Sequence, residues 1–499
     1  MAFAGDVVLA RRMNGFVEEH GPGRPLRGVR DLLADADIAA VNLECIIASG
    51  GEPADKDERN PYFFRGRPEL VRVLTEAGVD VASLGNNHAG DYGPDAVIEG
   101  VRILREAGVD PVGGGRNLEE AMAPVFRKVG DTVVAFIAMD MTQRKVGATE
   151  TRAGPHFVDE NNPTAVVKRV RDQVRLARRY AHLVFFMTHW GPNGAEEPGE
   201  PHRDLARRLV REAGIDALLG SSAHQLHGME VIDGRPVIYD AGNLIFDYND
   251  QAWTHKTAIF TLHFDQVGVR WVEAHPVRMG YSVANPANDE EHQEIVMRLD
   301  DLSRRLGTRL WIDSGRALLG VWNTRPREAP REAYQPPARA EPVLPTLTSS
   351  MPPRVTVKAV PETARPLNVR FEGGYELLGV EMPRKIGHRV GVPITTYWRV
   401  QQPPAESLWI FLHGEAVPRG PGWRGDHEPA DWAYPTTRWT PGEIVRDFQQ
   451  LRPPGDSAHG AHEIYVGLFK APEGRRLAVL DAAQHDGENR VMVGVLEVE

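Results

Sequence analysis

What most constrains this chain is an alternation over residues 1–285 of short apolar runs rich in Val, Ile and Leu with amphipathic stretches. The runs at 3–9, 38–43, 79–84, 132–138, 183–188, 217–220 and 236–240 are too short for buried helices and are predicted strands. Between them, 68–77, 94–107, 162–180 and 202–213 carry apolar residues at i, i+3 and i+4 and are predicted helices. Strands separated by helices of that length imply a layered α/β fold with the sheet covered on both faces. The runs at 258–264 and 269–277 have no helix between them and predict an antiparallel finish.

A last amphipathic helix is predicted over 289–306, followed by a stretch dense in Pro, Arg, Glu and Ala. The pattern then changes to short strands spaced by Gly and Pro turns, with Trp398, Trp409, Trp423, Trp432 and Trp439 close together. The expected organisation is therefore an α/β domain over 1–320, a linker over 321–366 and an all-β sandwich over 367–499. The sandwich tryptophans suit stacking on a glycan or polymer, and suit core packing at least as well.

The 499 residues suffice for two cores without staples. The single cysteine, Cys45, excludes an internal disulfide, and its place after Glu44 on an alternating strand predicts a buried, inert thiol. A formal charge of -11, with Lys and Arg scattered, argues against nucleic acid and leaves a small or peptidic partner easier to defend. No apolar run is long enough to span a membrane, and the chain opens directly as a strand. Cytoplasmic residence is the default expectation; a leader trimmed before this start would make it periplasmic or secreted.

Polar residues gather where the apolar runs end, which is where α/β sheets place ligand sites. Gly5-Asp6 interrupts the first run; Asn42-Leu43-Glu44, Gly85-Asn86-Asn87-His88, Thr188-His189-Trp190-Gly191 and Gly220-Ser221-Ser222-Ala223-His224 close others. Carboxylates, an amide oxygen and neutral imidazoles together suit one or two divalent ions of Mn, Zn or Fe. By contrast Asp91 and Asp247 are expected to cap turns, His202 and His227 to be structural, and Gly113–Gly115 to be a turn without phosphate-loop context.

These motifs, with Tyr62-Phe63-Phe64-Arg65-Gly66, the run from Ser83 to Gly93, Gly113-Gly114-Gly115-Arg116-Asn117 and the run from Tyr239 to Asp247, resemble the calcineurin-like metallophosphoesterases. The resemblance is to their capsule-synthesis, CapA-like branch associated with poly-γ-glutamate, and it covers most of the chain up to about residue 320. It implies a layered β-sandwich flanked by helices, with Asp6 and His224 on one metal, Asn87 and His189 on another, and Glu44 between them. It further implies that His88 faces the substrate as general acid or electrostatic stabiliser. Arg65, Asn86, Trp190 and Asn243, in the same motifs, are candidates for substrate contact. Two positions depart from the resemblance: Val8 stands where the superfamily usually has a histidine, and Ser222 where the branch has the first of two. One metal position is then weak, empty, or filled by Gln225 or His227 through rearrangement.

Three functions are expected from these residues. The first is a metal-dependent hydrolase of a phosphoester or of an amide in a polyanionic peptide such as poly-γ-glutamate. The second is a peptide epimerase, in which the ion stabilises an enolate while a base takes the Cα proton. The third is a non-catalytic polymer-binding assembly protein with a degenerate first domain.

Overall fold

The computed structural model describes all residues except 59–60, 248–253, 314, 323, 339, 346–354, 388–390, 418–421, 431, 433, 452–458, 472–473, 482–483 and 485. The chain divides into two compact units, Met1–Lys56 with Phe63–Ser349, and Asp57–Tyr62 with Ser350–Glu499. The first is α/β and the second is β.

In the first unit the strands Ala2–Val7, Ala39–Leu43, Val81–Ser83 and Asp110–Val112 lie side by side in parallel. Lys256–Phe264 joins Ala2–Val7 antiparallel, and Val269–Gly280 and Arg316–Gly320 continue antiparallel outward, the finish the sequence predicts. A second sheet runs Met229–Ile232, Arg235–Ile238, Ala217–Ser221, Leu183–His189, Thr132–Asp140 and Val125–Val129. Its four middle strands are parallel and each edge is a hairpin.

This pairing creates three apolar layers. Phe3, Ala40 and Val81 of one sheet share a core with Phe136, Phe185 and Leu219 of the other. The far face of the first sheet packs on the helices Arg12–His20, Val71–Glu76 and Gly93–Glu106. The far face of the second packs on Pro163–Ala177 and Glu200–Arg208. Strands covered on both sides need apolar residues at every position, which is why these runs read as continuous rather than alternating. The loops at the carboxyl ends of the parallel strands are left to carry polar residues.

The Pro-rich stretch after Val321 is tied to the first unit. Arg327 Nε lies 3.1 Å from Asp216 Oδ1, and Arg179 Nη2 lies 2.8 Å from Glu332 Oε1.

In the second unit two sheets, antiparallel except where Lys385–Ile386 pairs in parallel with Val491–Val498, enclose one core containing Trp398, Trp423 and Trp439. Trp432 is also buried, and the half-buried Trp409 meets it edge-on with ring centroids 4.8 Å apart. Core packing thus accounts for these indoles. No helix among the described residues is long and apolar enough to cross a membrane.

Candidate metal centre

Asp6 owes its position to a bulge. Along the pairing of Ala2–Val7 with Ala39–Leu43 the register jumps between Ala4 and Asp6, so Gly5 is an extra residue that re-aims the side chains beyond it. A Cβ on Gly5 would sit 2.0 Å from the Gly242 carbonyl oxygen, so only glycine lets this strand approach the 241–243 loop. Asp6 then pairs with Asn42 on one side and Asn243 on the other.

The cluster around it is tight. Ligand atoms of Asp6, Glu44 and His224 all lie within 4.8 Å of one another. His224 Nδ1 is 3.0 Å from Asp6 Oδ2, 3.8 Å from Glu44 Oε2 and 3.0 Å from Asn243 Oδ1. Two more imidazoles reach Glu44 Oε1, His189 Nε2 at 3.7 Å and His88 Nε2 at 4.0 Å. Asn42 braces the group: its Nδ2 donates to Asp6 Oδ1 at 2.8 Å and lies 3.3 Å from His189 Nδ1.

The backbone here is strained. Ser222 and His224 have φ of 118° and 60°, conformations that cost a non-glycine residue about 1–3 kcal/mol each. Asp240 holds the loop by accepting from the Ala223 and Gly242 amides, both at 2.7 Å. Its carboxyl is pushed up to about 8 by burial and by Asp6.

Both Glu44 carboxylate oxygens are buried without a hydrogen-bond partner, and so is Asn87 Oδ1. Buried polar atoms are almost always satisfied, because each orphan costs about 1–3 kcal/mol, more when charged. Three orphaned oxygens on strand-end loops that also bring imidazoles to Glu44 are what a cation-binding shell requires.

The electrostatics agree. Burial and the charge of Asp6 push Glu44 well above the usual carboxylate range, whereas Asp6, despite its burial, is held low by His224. Burial opposes protonation of His224, yet Glu44 and Asp6 outweigh it and push the imidazole up to about 10. Burial takes His189 down to about 3 and His88 to about 4, so both are neutral donors at neutral pH. The site as a whole calls for positive charge, which a proton on His224 or a divalent cation supplies.

The departures noted in the sequence are real in space. Val8 is wholly buried in the core of the first sheet, and Ser222 Oγ donates to the Gly191 carbonyl at 3.3 Å. The rearrangement expected of Gln225 and His227 is not what the fold shows: they are spent on the carbonyls of Gly194 and Ala195, at 3.0 and 2.8 Å. Among the expected substrate contacts, Asn243 reaches the cluster. Asn86 instead braces its loop, donating to Asn42 Oδ1 at 3.1 Å and Leu43 O at 2.9 Å while accepting from the amides of His88 and Ala89. Trp190 is a core residue whose indole N–H donates to Tyr239 O at 3.0 Å. The Arg65 guanidinium lies over the Tyr92 ring, 4.2 Å from its centroid. Cys45 is buried, and burial pushes its thiol up, out of reach of nucleophilic use.

Sequence reasoning undervalued Asp91. It caps no turn alone: its Oδ2 lies 2.6 Å from His88 Nδ1 and accepts from the Phe64 amide at 2.7 Å, and its Oδ1 accepts from Lys56 Nζ at 2.8 Å. The His88-x-x-Asp91 spacing was a usable signal; Lys56, arriving from a distant loop, had none. Asp247, the other expected cap, is bound by the Arg11 guanidinium, with Nε at 2.9 Å.

Residues 1–248 match the family described as bacterial capsule synthesis protein PGA_cap. Capsule biosynthesis protein CapA of Bacillus anthracis is 26% identical over 302 residues, covering 60% of this chain and 72% of that protein. PGA biosynthesis protein CapA of Bacillus subtilis is 25% identical over 304 residues, covering 60% and 76%. A protein of Mycobacterium tuberculosis named as a polyglutamine synthesis accessory protein is 31% identical over 255 residues, covering 49% and 65%. A solved β-glucosidase from Listeria innocua aligns at a TM-score of 0.17 and 11% identity, covering 71% of this chain and 40% of that one, too weak a likeness to argue from.

Proposed function

From the premise that this chain belongs, through residues 1–248, to the CapA-like capsule synthesis family within the metallophosphoesterase-like superfamily, we propose that its first unit is a metal-dependent hydrolase. Its substrate is a phosphoester or an amide in a polyanionic peptide of the poly-γ-glutamate kind. The observation that carries this reading is the pair of orphaned Glu44 oxygens facing three imidazoles. A relic or purely structural cluster would have satisfied those atoms within the protein.

Asp6, Glu44 and His224, with His189 and the Asn87 oxygen, are the residues that would hold the cation. A divalent ion held there supplies Lewis acidity toward a phosphoryl or carbonyl oxygen and makes a water acidic enough to react near neutral pH.

The protein's own groups do the rest. Glu44, buried against Asp6, is a carboxylate whose charge needs a cation to be stable. Asn42 Nδ2 donates to Asp6 Oδ1 and lies against His189 Nδ1, so one amide ties the two side chains together. Asp91 engages His88 Nδ1, which selects the tautomer that leaves Nε2 toward Glu44. A neutral His88 presents Nε2 as a proton acceptor, and a proton taken there is stabilised by Asp91 through the other ring nitrogen. The buried Lys56 Nζ donates to the other Asp91 oxygen at 2.8 Å and so holds that carboxylate against His88.

The test is elemental analysis of protein purified without chelator, beside Asp6→Ala and His189→Ala, followed by turnover of phosphoester and poly-γ-glutamate panels by wild type and His88→Ala. One or two equivalents of a transition metal, lost in the first two variants, with turnover lost in the third, is the expected result. A loaded protein that leaves every panel member intact would overturn hydrolysis. Cα hydrogen exchange in deuterated water by such a protein would move the assignment to epimerisation.

A further inference from the structure

A groove of about 1050 Å³ in the first unit is lined by residues that the metal centre does not use. Five arginines, Arg211, Arg235, Arg309, Arg325 and Arg327, face it, against one acidic side chain, Asp233, among the described lining residues. Asp233 is already engaged by Arg211, with N–O distances of 3.0 and 3.1 Å. Behind the groove the fully buried Asp216 serves three guanidiniums at once, those of Arg178, Arg235 and Arg327. One carboxylate among three cations leaves a surplus, and burial together with this crowding lowers the proton affinity of Arg235. Arg309 and Arg325 are exposed, and neither guanidinium has a hydrogen bond or ion pair among the described residues.

Two indoles complete the lining. Trp311, on the edge strand Trp311–Asp313 of the first sheet, is 67% exposed, and Trp322 is 75% exposed. An exposed tryptophan is a large apolar face that folding has not used, and two in one basic groove need a reason. The five sandwich tryptophans, by comparison, are buried or half-buried.

From this we infer that the groove binds an extended, carboxylate-rich peptide chain, the arginines taking its carboxylates and Trp311 and Trp322 its methylene stems. Guanidinium forks match carboxylates two bonds at a time, and a polymer of short acidic side chains on an aliphatic backbone presents both chemistries at every repeat. A polyphosphate would leave the indoles unused. Single-stranded nucleic acid carries charge of the same sign, and its binding relative to the polymer is one outcome of the test. The inference rests on the polyanionic substrate of the proposed function and gives it a holding site apart from the metal centre.

The experiment is a titration of full-length protein with poly-γ-glutamate of defined length, followed by tryptophan fluorescence and by anisotropy of an end-labelled polymer, at low and high salt. Arg309→Glu with Arg325→Glu is expected to weaken binding at least tenfold, and Trp311→Ala with Trp322→Ala to abolish the fluorescence change. All four side chains are exposed, so circular dichroism and metal content are expected to match wild type. Binding that persists after chelation and weakens with salt supports the groove. Binding lost on chelation but indifferent to the arginine changes would place the polymer at the metal centre, overturning this inference while leaving the hydrolase reading intact. Polymer binding that survives both pairs of changes, its absence in wild type, or tighter binding of single-stranded nucleic acid than of the polymer would each overturn it.

Discussion

Each unit of this protein buries a histidine against an aspartate, and the two pairs differ in what surrounds them. In the second unit His427 Nε2 lies 3.0 Å from Asp447 Oδ1, and every remaining valence is met. His427 Nδ1 reaches Gly425 O at 2.8 Å, while Asp447 accepts from the Ala430 amide at 2.8 Å and Thr396 Oγ1 at 3.1 Å. In the first unit His224 and Asp6 make a contact of the same length, but the neighbouring Glu44 is orphaned at both oxygens and the loop is strained at Ser222 and His224. A closed network holds a fold together. An open one, kept open at a cost in strain and desolvation, is waiting for something.

The largest effect that would sharpen this contrast is in the closed network. Asp447→Ala leaves a buried imidazole, an amide and a hydroxyl without their acceptor, so a loss of about 3–5 kcal/mol is expected. Urea unfolding followed by the buried Trp398 and Trp423 measures it, and a loss below about 1 kcal/mol would mean the pair is dispensable. In the open network, Asn42→Ala removes the brace of Asp6 and His189, and metal affinity is expected to drop about 10–100-fold. A competition titration against a chromophoric chelator reads this; an unchanged constant would show that Asp6 and His189 hold their places alone.

The pH responses are expected to diverge as well. Asp447 raises His427 above its ordinary value against the opposing effect of burial. Its contribution is therefore complete below about pH 6.5 and is lost as pH climbs through the folded value, with a slope of up to about 1.4 kcal/mol per unit. In the first unit Glu44 and Asp6, against burial, hold the His224 imidazole near 10, and the proton it carries must leave when a cation enters. Metal affinity should thus rise by up to about tenfold per pH unit near neutrality. Calorimetry in buffers of different ionisation enthalpy counts the released protons, and a count of zero would contradict the assignment of His224 as a ligand.

The smallest effect is the most diagnostic. Glu44→Gln keeps shape and removes a buried carboxylate whose oxygens accept no hydrogen bond, so chelator-treated protein is expected to hold its stability to within about 1 kcal/mol or gain slightly. Metal binding should be lost in the same variant. A large destabilisation would instead make Glu44 structural, like Asp447.

Much of this site was legible before folding because strand ends announce themselves. An apolar run that breaks at Asp6, or stops before Glu44, Asn87, His189 or His224, marks both a buried strand and the polar group delivered there. What could not be read were partners fetched from elsewhere. Asn42 was visible only as a neighbour of Glu44, yet it braces Asp6 and His189. Lys56 belongs to a loop with no pattern, and the arginine groove draws on segments between residues 210 and 327 whose charges look merely scattered along the chain.

The sequence by itself determined the elements and the residue types at their ends, since covering a strand on both faces forces a continuous apolar run and leaves polar side chains to the loops. The tertiary structure alone decided the pairing into two sheets, the bulge at Gly5 that turns Asp6 inward, and which buried groups find partners. Those outcomes depend on the approach of backbones far apart in the chain, such as Gly5 and Gly242, and satisfaction of a buried atom is a property of its surroundings rather than of its own residue.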